Sequence, residues 1–190
     1  ALSNPEWLTE IHTAYQRAGR QVIYANTFGA NRDKLKTAGQ SPETVIPAAV
    51  RAAKQAAEGT GALVALDVGP LGRLLEPAGD LPLEEAVALF GEMMELGAGA
   101  GADLIVLETM ADLQELRAGL MAAKARTHLP VLCTMTFEAC GRTFMGCSIP
   151  ALAVTAEALG ADAVGINCSL GPRELPPLME ALSVWSTLPL

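Results

Sequence analysis

Gly101–Glu108 reads GADLIVLE, and Gly160–Asn167 reads GADAVGIN. In both, a Gly-Ala-Asp lead-in opens onto a short apolar run. Glycine just past a helix end takes a left-handed backbone at little cost, so the motif reads as a helix stop feeding a strand. Gly19-Arg20-Gln21 leads into Val22 in the same manner. On this reading Asp103 and Asp162 are solvated turn residues. The second copy continues through Cys168 into Ser169-Leu170-Gly171-Pro172, a turn that carries a lone thiol at its start.

Five apolar and β-branched runs recur, at Val22–Phe28, Leu63–Val68, Leu104–Thr109, Val131–Phe137 and Val164–Asn167. Helical segments separate them. The first starts at Asn4-Pro5 with Leu8, Ile11 and Tyr15 on one face, and Ser41-Pro42-Glu43 opens the second. In the third, Leu83, Val87, Phe90 and Met94 form a stripe, and Asp112 with Glu115 has capping-box spacing ahead of Leu113, Leu116 and Leu120. Strands alternating with helices predict βαβ units and a parallel sheet, with continuous apolar runs because both faces are covered.

Two parallel architectures compete. A dinucleotide-binding doubly wound sheet calls for GxGxxG at its first turn, and none is present. Polar residues close one run after another: Asn26-Thr27, Asp67, Glu108-Thr109, Thr134 with Thr136, and Asn167-Cys168. That suits a TIM-type (β/α)8 barrel, whose carboxyl rim is one shared site. A full barrel takes about 250 residues. Five runs in 190 residues predict a single domain, 1–190, that is an incomplete barrel.

Half the residues are apolar (51%) and the net charge is −8, which excludes disorder and a nucleic-acid surface. No run approaches the roughly 18 apolar residues of a membrane span, and the opening ALSNPEW is unlike a signal peptide. Four cysteines without a CxxC pair point to reduced thiols and a cytoplasmic setting.

Among chemistry-bearing residues, Cys168 ends a strand where barrel loops converge; the structural alternative is a buried thiol acting as a small hydrophobe. Glu108 closes four apolar residues and needs a cation or donors, from a ligand or a neighbouring loop. Asp67 precedes Val68-Gly69-Pro70-Leu71-Gly72, where Gly69 and its neighbours can bring backbone amides to a ligand carboxylate; the alternative is a turn cap. Asn26 and Thr27 bind a polar ligand or cap the next loop. Asn167 points away from Cys168 and orients the rim. His12 and His128 are structural or solvated, which argues against a histidine triad. Met93, Met94, Met121 and Met135 read as core filler, and Arg32, Lys34 and Lys36 as a solvated cluster.

Five segments in order, ANTFGANRDKL (25–35), VGPLGRLLEP (68–77), GADLIVLETMADLQE (101–115), TMTFEACGRTFMG (134–146) and GINCSLGP (165–172), resemble the homocysteine S-methyltransferase family. They are most similar to the homocysteine-binding barrel of cobalamin-dependent methionine synthases. The resemblance implies zinc-dependent methyl transfer to the thiol of homocysteine. It assigns Cys168 as one of three zinc-binding thiolates and as the catalytic cysteine, the other two being an adjacent pair near the end of the barrel. Glu108 is implied to engage the substrate's amino group, while Asn26, Thr27, Asp67 and Gly69 line the pocket. Zinc is the implied cofactor; cobalamin and methyltetrahydrofolate belong to other domains of the parent chain, which act as methyl-carrier partners. Zinc makes chemical sense here, because coordination turns a mostly protonated thiol into a thiolate.

The family's first strand is expected before Ala1, and its last two strands, with the cysteine pair, after Leu190. Cys140 and Cys147, on the loop after Val131–Phe137, are the alternative partners for Cys168. Open barrel edges predict self-association. The competing functions are a stand-alone methyltransferase using betaine or S-methylmethionine, and a non-catalytic barrel fragment with a binding or assembly role.

Overall fold

The computed structural model describes residues 2–190. Its elements run α1 (Pro5–Arg17), β1 (Val22–Tyr24), α2 (Arg32–Thr37), α3 (Pro42–Ala57), β2 (Leu63–Val68), α4 (Leu83–Gly99), β3 (Leu104–Met110), α5 (Leu113–Arg126), β4 (Val131–Met135), α6 (Ile149–Ala158), β5 (Ala163–Ile166) and α7 (Leu175–Trp185). The five strands form one sheet in the order β1-β2-β3-β4-β5, and every pairing is parallel. Spatial order that follows chain order throughout is the singly wound arrangement of a (β/α) barrel; a doubly wound sheet reverses direction at a switch point.

Register sorts the side chains into two faces. Ile23, Val64, Ile105, Val131, Cys133 and Val164 align across the sheet and are 0–3% exposed. Two glycines bring the helices onto this face. A β-carbon at Gly97 of α4 would lie 2.6 Å from a Leu66 methyl, and one at Gly119 of α5 would lie 2.8 Å from a Leu107 methyl. The opposite face carries Tyr24, Ala65, Asp67, Val106, Thr134 and Gly165. It is wetter: Tyr24 is 38% exposed and Leu63, in line with Val22, 48%. The dry face holds the core and the other face holds the chemistry.

Several expectations change. Asp103 and Asp162 are strand clasps; Asp103 is half-buried, while Asp162 remains solvated as expected. Asp103 donates its N–H to the Val64 carbonyl (2.8 Å), while its carboxylate accepts from the Val64 N–H (2.7 Å) and from Lys54 Nζ (2.7 Å). Asp162 repeats the pattern one strand pair further on, with its N–H to the Val131 carbonyl (2.8 Å) and its carboxylate accepting from the Val131 N–H (2.8 Å) and Lys124 Nζ (3.2 Å). The Val131 donor holds the Asp162 carboxyl below its ordinary pKa. The recurring Gly-Ala-Asp is thus a helix stop and a strand-register device at once.

The predicted face of α1 does not close on the core: Ile11 and Tyr15 are 51% and 56% exposed, and His12 is the buried residue. Burial lowers the His12 pKa, and its Nε2 has no partner. Ile11 and Tyr15 line an open groove with Val22, Ile23 and Tyr24, beside an edge strand. Neither Asn4 nor Ser41 makes a side-chain cap bond. The α4 stripe is centred on Ala86, Phe90, Met93, Met94 and Gly97. Met121 is exposed, unlike Met93, Met94 and Met135. At α5, Asp112 caps the helix, but Glu115 leaves the capping box and turns to another loop. Among the described residues, no helix is long and apolar enough to cross a membrane.

Gly97→Ala is expected to lower stability by about 1–3 kcal/mol, because Leu66 is fully buried and has nowhere to move. A drop in the urea midpoint at unchanged slope checks it. Strands β1 and β5 are the outer strands of the sheet; the Pro189 carbonyl accepts from the Val164 N–H of β5, and such partly open edges recruit other chains. Residues 1–190 expressed alone are expected to self-associate in size-exclusion chromatography with light scattering; a monodisperse monomer contradicts this.

Candidate active site at the carboxyl rim of the sheet

The rim is shaped by a bulge. Leu107 pairs with Cys133 and Met110 with Met135, so β3 spends one residue more than β4 over this interval. Such an insertion bends the strand and re-aims side chains. Here it turns both Glu108 and Thr109 toward the wet face and returns Met110 to the core. Thr109 sits at φ 61°, a conformation seldom taken by a β-branched residue.

Asn167 stabilises the bulge. Its Oδ1 accepts from the Thr109 N–H (3.2 Å) and from Thr134 Oγ1 (2.9 Å). Its Nδ2 donates to Thr109 Oγ1 (2.8 Å) and to Cys168 Sγ (3.5 Å). Thr136 Oγ1 donates to the Asn167 carbonyl (3.1 Å). One carboxamide therefore joins the ends of β3 and β4 to the turn after β5. Cys168 follows at φ 58° and Ser169 at φ 54°, a left-handed pair that lifts the thiol out of the sheet. Cys168 is exposed, with Sγ 3.7 Å from Thr109 Oγ1. Two consecutive non-glycine residues in this region store strain of the kind found at ligand sites.

Glu108 and Asp67 meet across neighbouring strands. Asp67 pairs with Val106, which places Glu108 on the diagonal of the same face, within reach of its side chain. Asp67 is 8% exposed and its Oδ1 has no hydrogen-bond donor. Burial, and then the adjacent Glu108 carboxylate, push the Asp67 carboxyl up to about 7. Burial also raises Glu108, opposed by its contact with Asp67. Tyr24 is raised by burial and by these two carboxylates.

The remaining predicted site residues are placed differently. Thr27 is 1% exposed, and its hydroxyl is taken by the backbone of Asp67: Oγ1 donates to the Asp67 carbonyl (2.7 Å) and accepts from the Asp67 N–H (3.1 Å). It holds Asp67 rather than facing the rim. Asn26 is exposed in the loop beyond β1, which ends at Tyr24 and not at Phe28. The Gly69 N–H donates to the Phe28 carbonyl (3.0 Å), so it does not point at a ligand. A β-carbon at Gly69 would lie 2.5 Å from the Phe28 ring, which explains the glycine without one.

The loop after β2 is anchored by residues that sequence reasoning passed over. Buried Glu115 accepts from the Leu71 N–H (2.7 Å), and buried Asn31 donates to the Leu71 carbonyl (3.2 Å). Lys34 Nζ donates to the Pro70 carbonyl (2.7 Å), and Arg32 pairs with Glu43 and Glu92, so these two members of the basic cluster are engaged, while Lys36 is exposed. The one available signal was Glu115, a carboxylate on the face of α5 that also bears buried residues.

A zinc site with an open position takes three protein ligands. Cys168 is the one that the family resemblance names. Cys147 donates its thiol to the Ser148 carbonyl (3.4 Å), Cys140 is exposed, and Cys133 lies on the dry face with its thiol pushed up to about 12 by burial. Among the described residues no group of three His, Cys, Asp or Glu gathers to hold a metal. These residues do not form a zinc site by themselves, and Cys140 and Cys147 do not complete one.

The family model for homocysteine S-methyltransferase matches residues 1–190, and the chain belongs to that family. Methionine synthase from Mycobacterium tuberculosis is 29% identical over 98% of this chain, and that from Mycobacterium leprae is also 29% identical. The chain spans 17% and 16% of the lengths of these two relatives. The metallated form of the homocysteine methyltransferase MmuM from Escherichia coli superposes with a TM-score of 0.89 at 24% identity, covering 100% of this chain and 72% of MmuM. That likeness fixes the fold as an arc of the same type of α/β structure.

Thiol chemistry separates the two faces. Iodoacetamide is expected to modify Cys140 and Cys168 in the native protein and Cys133 only after denaturation, as read by peptide mass spectrometry. Early labelling of Cys133 contradicts the assignment of faces.

Proposed function

We propose that this chain is the homocysteine-binding barrel of a methionine synthase and takes part in zinc-dependent methyl transfer to the homocysteine thiol. The observation that carries the reading is the shared rim. A carboxylate pair, Asp67 and Glu108, and an exposed thiol, Cys168, lie at the carboxyl end of the sheet, where Asn167 bonds both Cys168 and Thr109, the residue after Glu108. Homocysteine has complementary ends, an ammonium group and a thiol. The carboxylates suit the first, and a metal ion sharing Cys168 suits the second.

Each residue then has a defined task. Glu108 binds and orients the ammonium, an entropic contribution as much as an affinity one. Asn167 and Thr109 fix the Cys168 sulfur. Cys168 would supply one thiolate toward zinc; among the described residues no group of three donors gathers to hold the ion. Cobalamin and methyltetrahydrofolate belong to other domains of the parent protein, which act as the methyl carrier. The length of the curated relatives, of which this chain matches 17% and 16%, supports that division.

The test uses the full-length protein. Cys168→Ala is expected to lose most bound zinc by elemental analysis and at least a hundredfold in methyl transfer. Glu108→Gln is expected to raise KM for homocysteine about 10- to 100-fold, the worth of a hydrogen bond to a charged group. Wild-type zinc content and activity in Cys168→Ala would end this reading.

A further inference from the structure

We propose that Asp67 is a positioning residue that works through Glu108. Before the ligand binds it is the protonated member of an acid–carboxylate pair, and it releases its proton when an ammonium group arrives. The ammonium-bearing ligand rests on the function proposed above; the pair itself rests on geometry.

Register sets the two side chains on one diagonal of one sheet face. Asp67 is 8% exposed and has a buried oxygen with no donor. Thr27 clasps both backbone groups of Asp67, so the residue cannot back out of the sheet. Among the described residues, no cation acts on the pair to balance two charges. Tyr24 comes from β1, Thr134 from β4 and Asn167 from the end of β5; Arg20 acts on Tyr24, not on the pair. Two carboxylates taken from water beside each other without a cation cannot both stay ionised, and one shared proton relieves both burial and repulsion. That proton also gives the pair the donor it lacks.

The preferred site of the proton follows from burial. Asp67 is the more enclosed, and its pKa rises through burial first and Glu108 second, whereas Asp67 pulls Glu108 down. When an ammonium binds, its charge replaces the proton: the Asp67 O–H bond breaks, the proton leaves to solvent, and two carboxylates face one cation. The site is then poised to read the protonation state of the amino-acid end independently of the thiol.

The probe is L-methionine, which carries the same amino-acid end as homocysteine and no thiol, so that metal-driven thiol ionisation adds nothing. Calorimetric titration of the full-length protein in buffers of different ionisation enthalpy counts the protons. With the acid at about 7, wild type is expected to release about half a proton at pH 7 and to bind about tenfold more tightly at pH 8 than at pH 6. Asp67→Asn keeps a donor toward Glu108 but holds no titrating proton. It is expected to release none and to show a flat profile over that range. Should this variant not bind, infrared difference spectra of wild type decide instead: loss of a protonated-carboxyl band on methionine binding supports the pair. Proton release in Asp67→Asn equal to wild type, or a wild-type spectrum without that loss, overturns it. Failure of wild type to bind either methionine or homocysteine removes the functional reading and this inference with it.

Discussion

The N–H of Thr109 has lost its place in the β3–β4 ladder, because the bulge leaves β3 one residue too long for its neighbour. Thr134 Oγ1 (3.3 Å) and Asn167 Oδ1 (3.2 Å) share this N–H, and Asn167 also accepts from Thr134 and donates to Thr109 Oγ1. A backbone N–H left without a partner is costly, so the bulge leans on both side chains. The arrangement also determines which side chains meet. Without the bulge, Thr109 would follow strand alternation to the helix side, and Cys168 would lose its hydroxyl neighbour. The turn that holds the thiol and the strand that holds the carboxylate are thus fixed by one side chain.

Much of the frame could be read from the sequence because it is local. Gly160-Ala161-Asp162 announces a helix stop and a strand start from three adjacent residues, and the apolar runs declare themselves as buried. Strand order followed from the absence of a phosphate-binding glycine motif and the polar ends of successive runs. The site was less legible because its partners lie far apart in the chain. Thr27 looks like a ligand-binding hydroxyl until β2 brings Asp67 beside it. Glu115 fits a capping box by spacing, yet the Leu71 N–H, available only in three dimensions, is the stronger attraction. The bulge has no signature in Leu107-Glu108-Thr109-Met110, since nothing there demands a positive φ; the demand comes from Asn167. The exposed Ile11 and Tyr15 carry a correct periodicity without a covering surface in this arrangement, and periodicity alone says nothing about what covers a face.

Two cysteines show how the sheet sorts chemistry. Cys133 points to the helices, where burial holds its proton firmly in place. Cys168 sits past the end of its strand, in a left-handed turn where water reaches it. Reactivity follows from strand parity and position along the strand, not from residue type. The same parity separates Leu107, packed against Gly119, from Glu108 at the next position.

The carboxylate pair follows the same rule with opposite energetics. Charge on the wet face is tolerable where water reaches it, and Glu108 retains such contact while Asp67 does not. Any structure laid over Tyr24 and Leu63 would remove further water from that face. Such burial disfavours the charged form of a carboxyl, so it would tighten the hold of the pair on its proton rather than loosen it. A cationic group entering between the two carboxyls acts the other way. If the pair shares a proton as proposed, this balance would favour a ligand that brings its own positive charge.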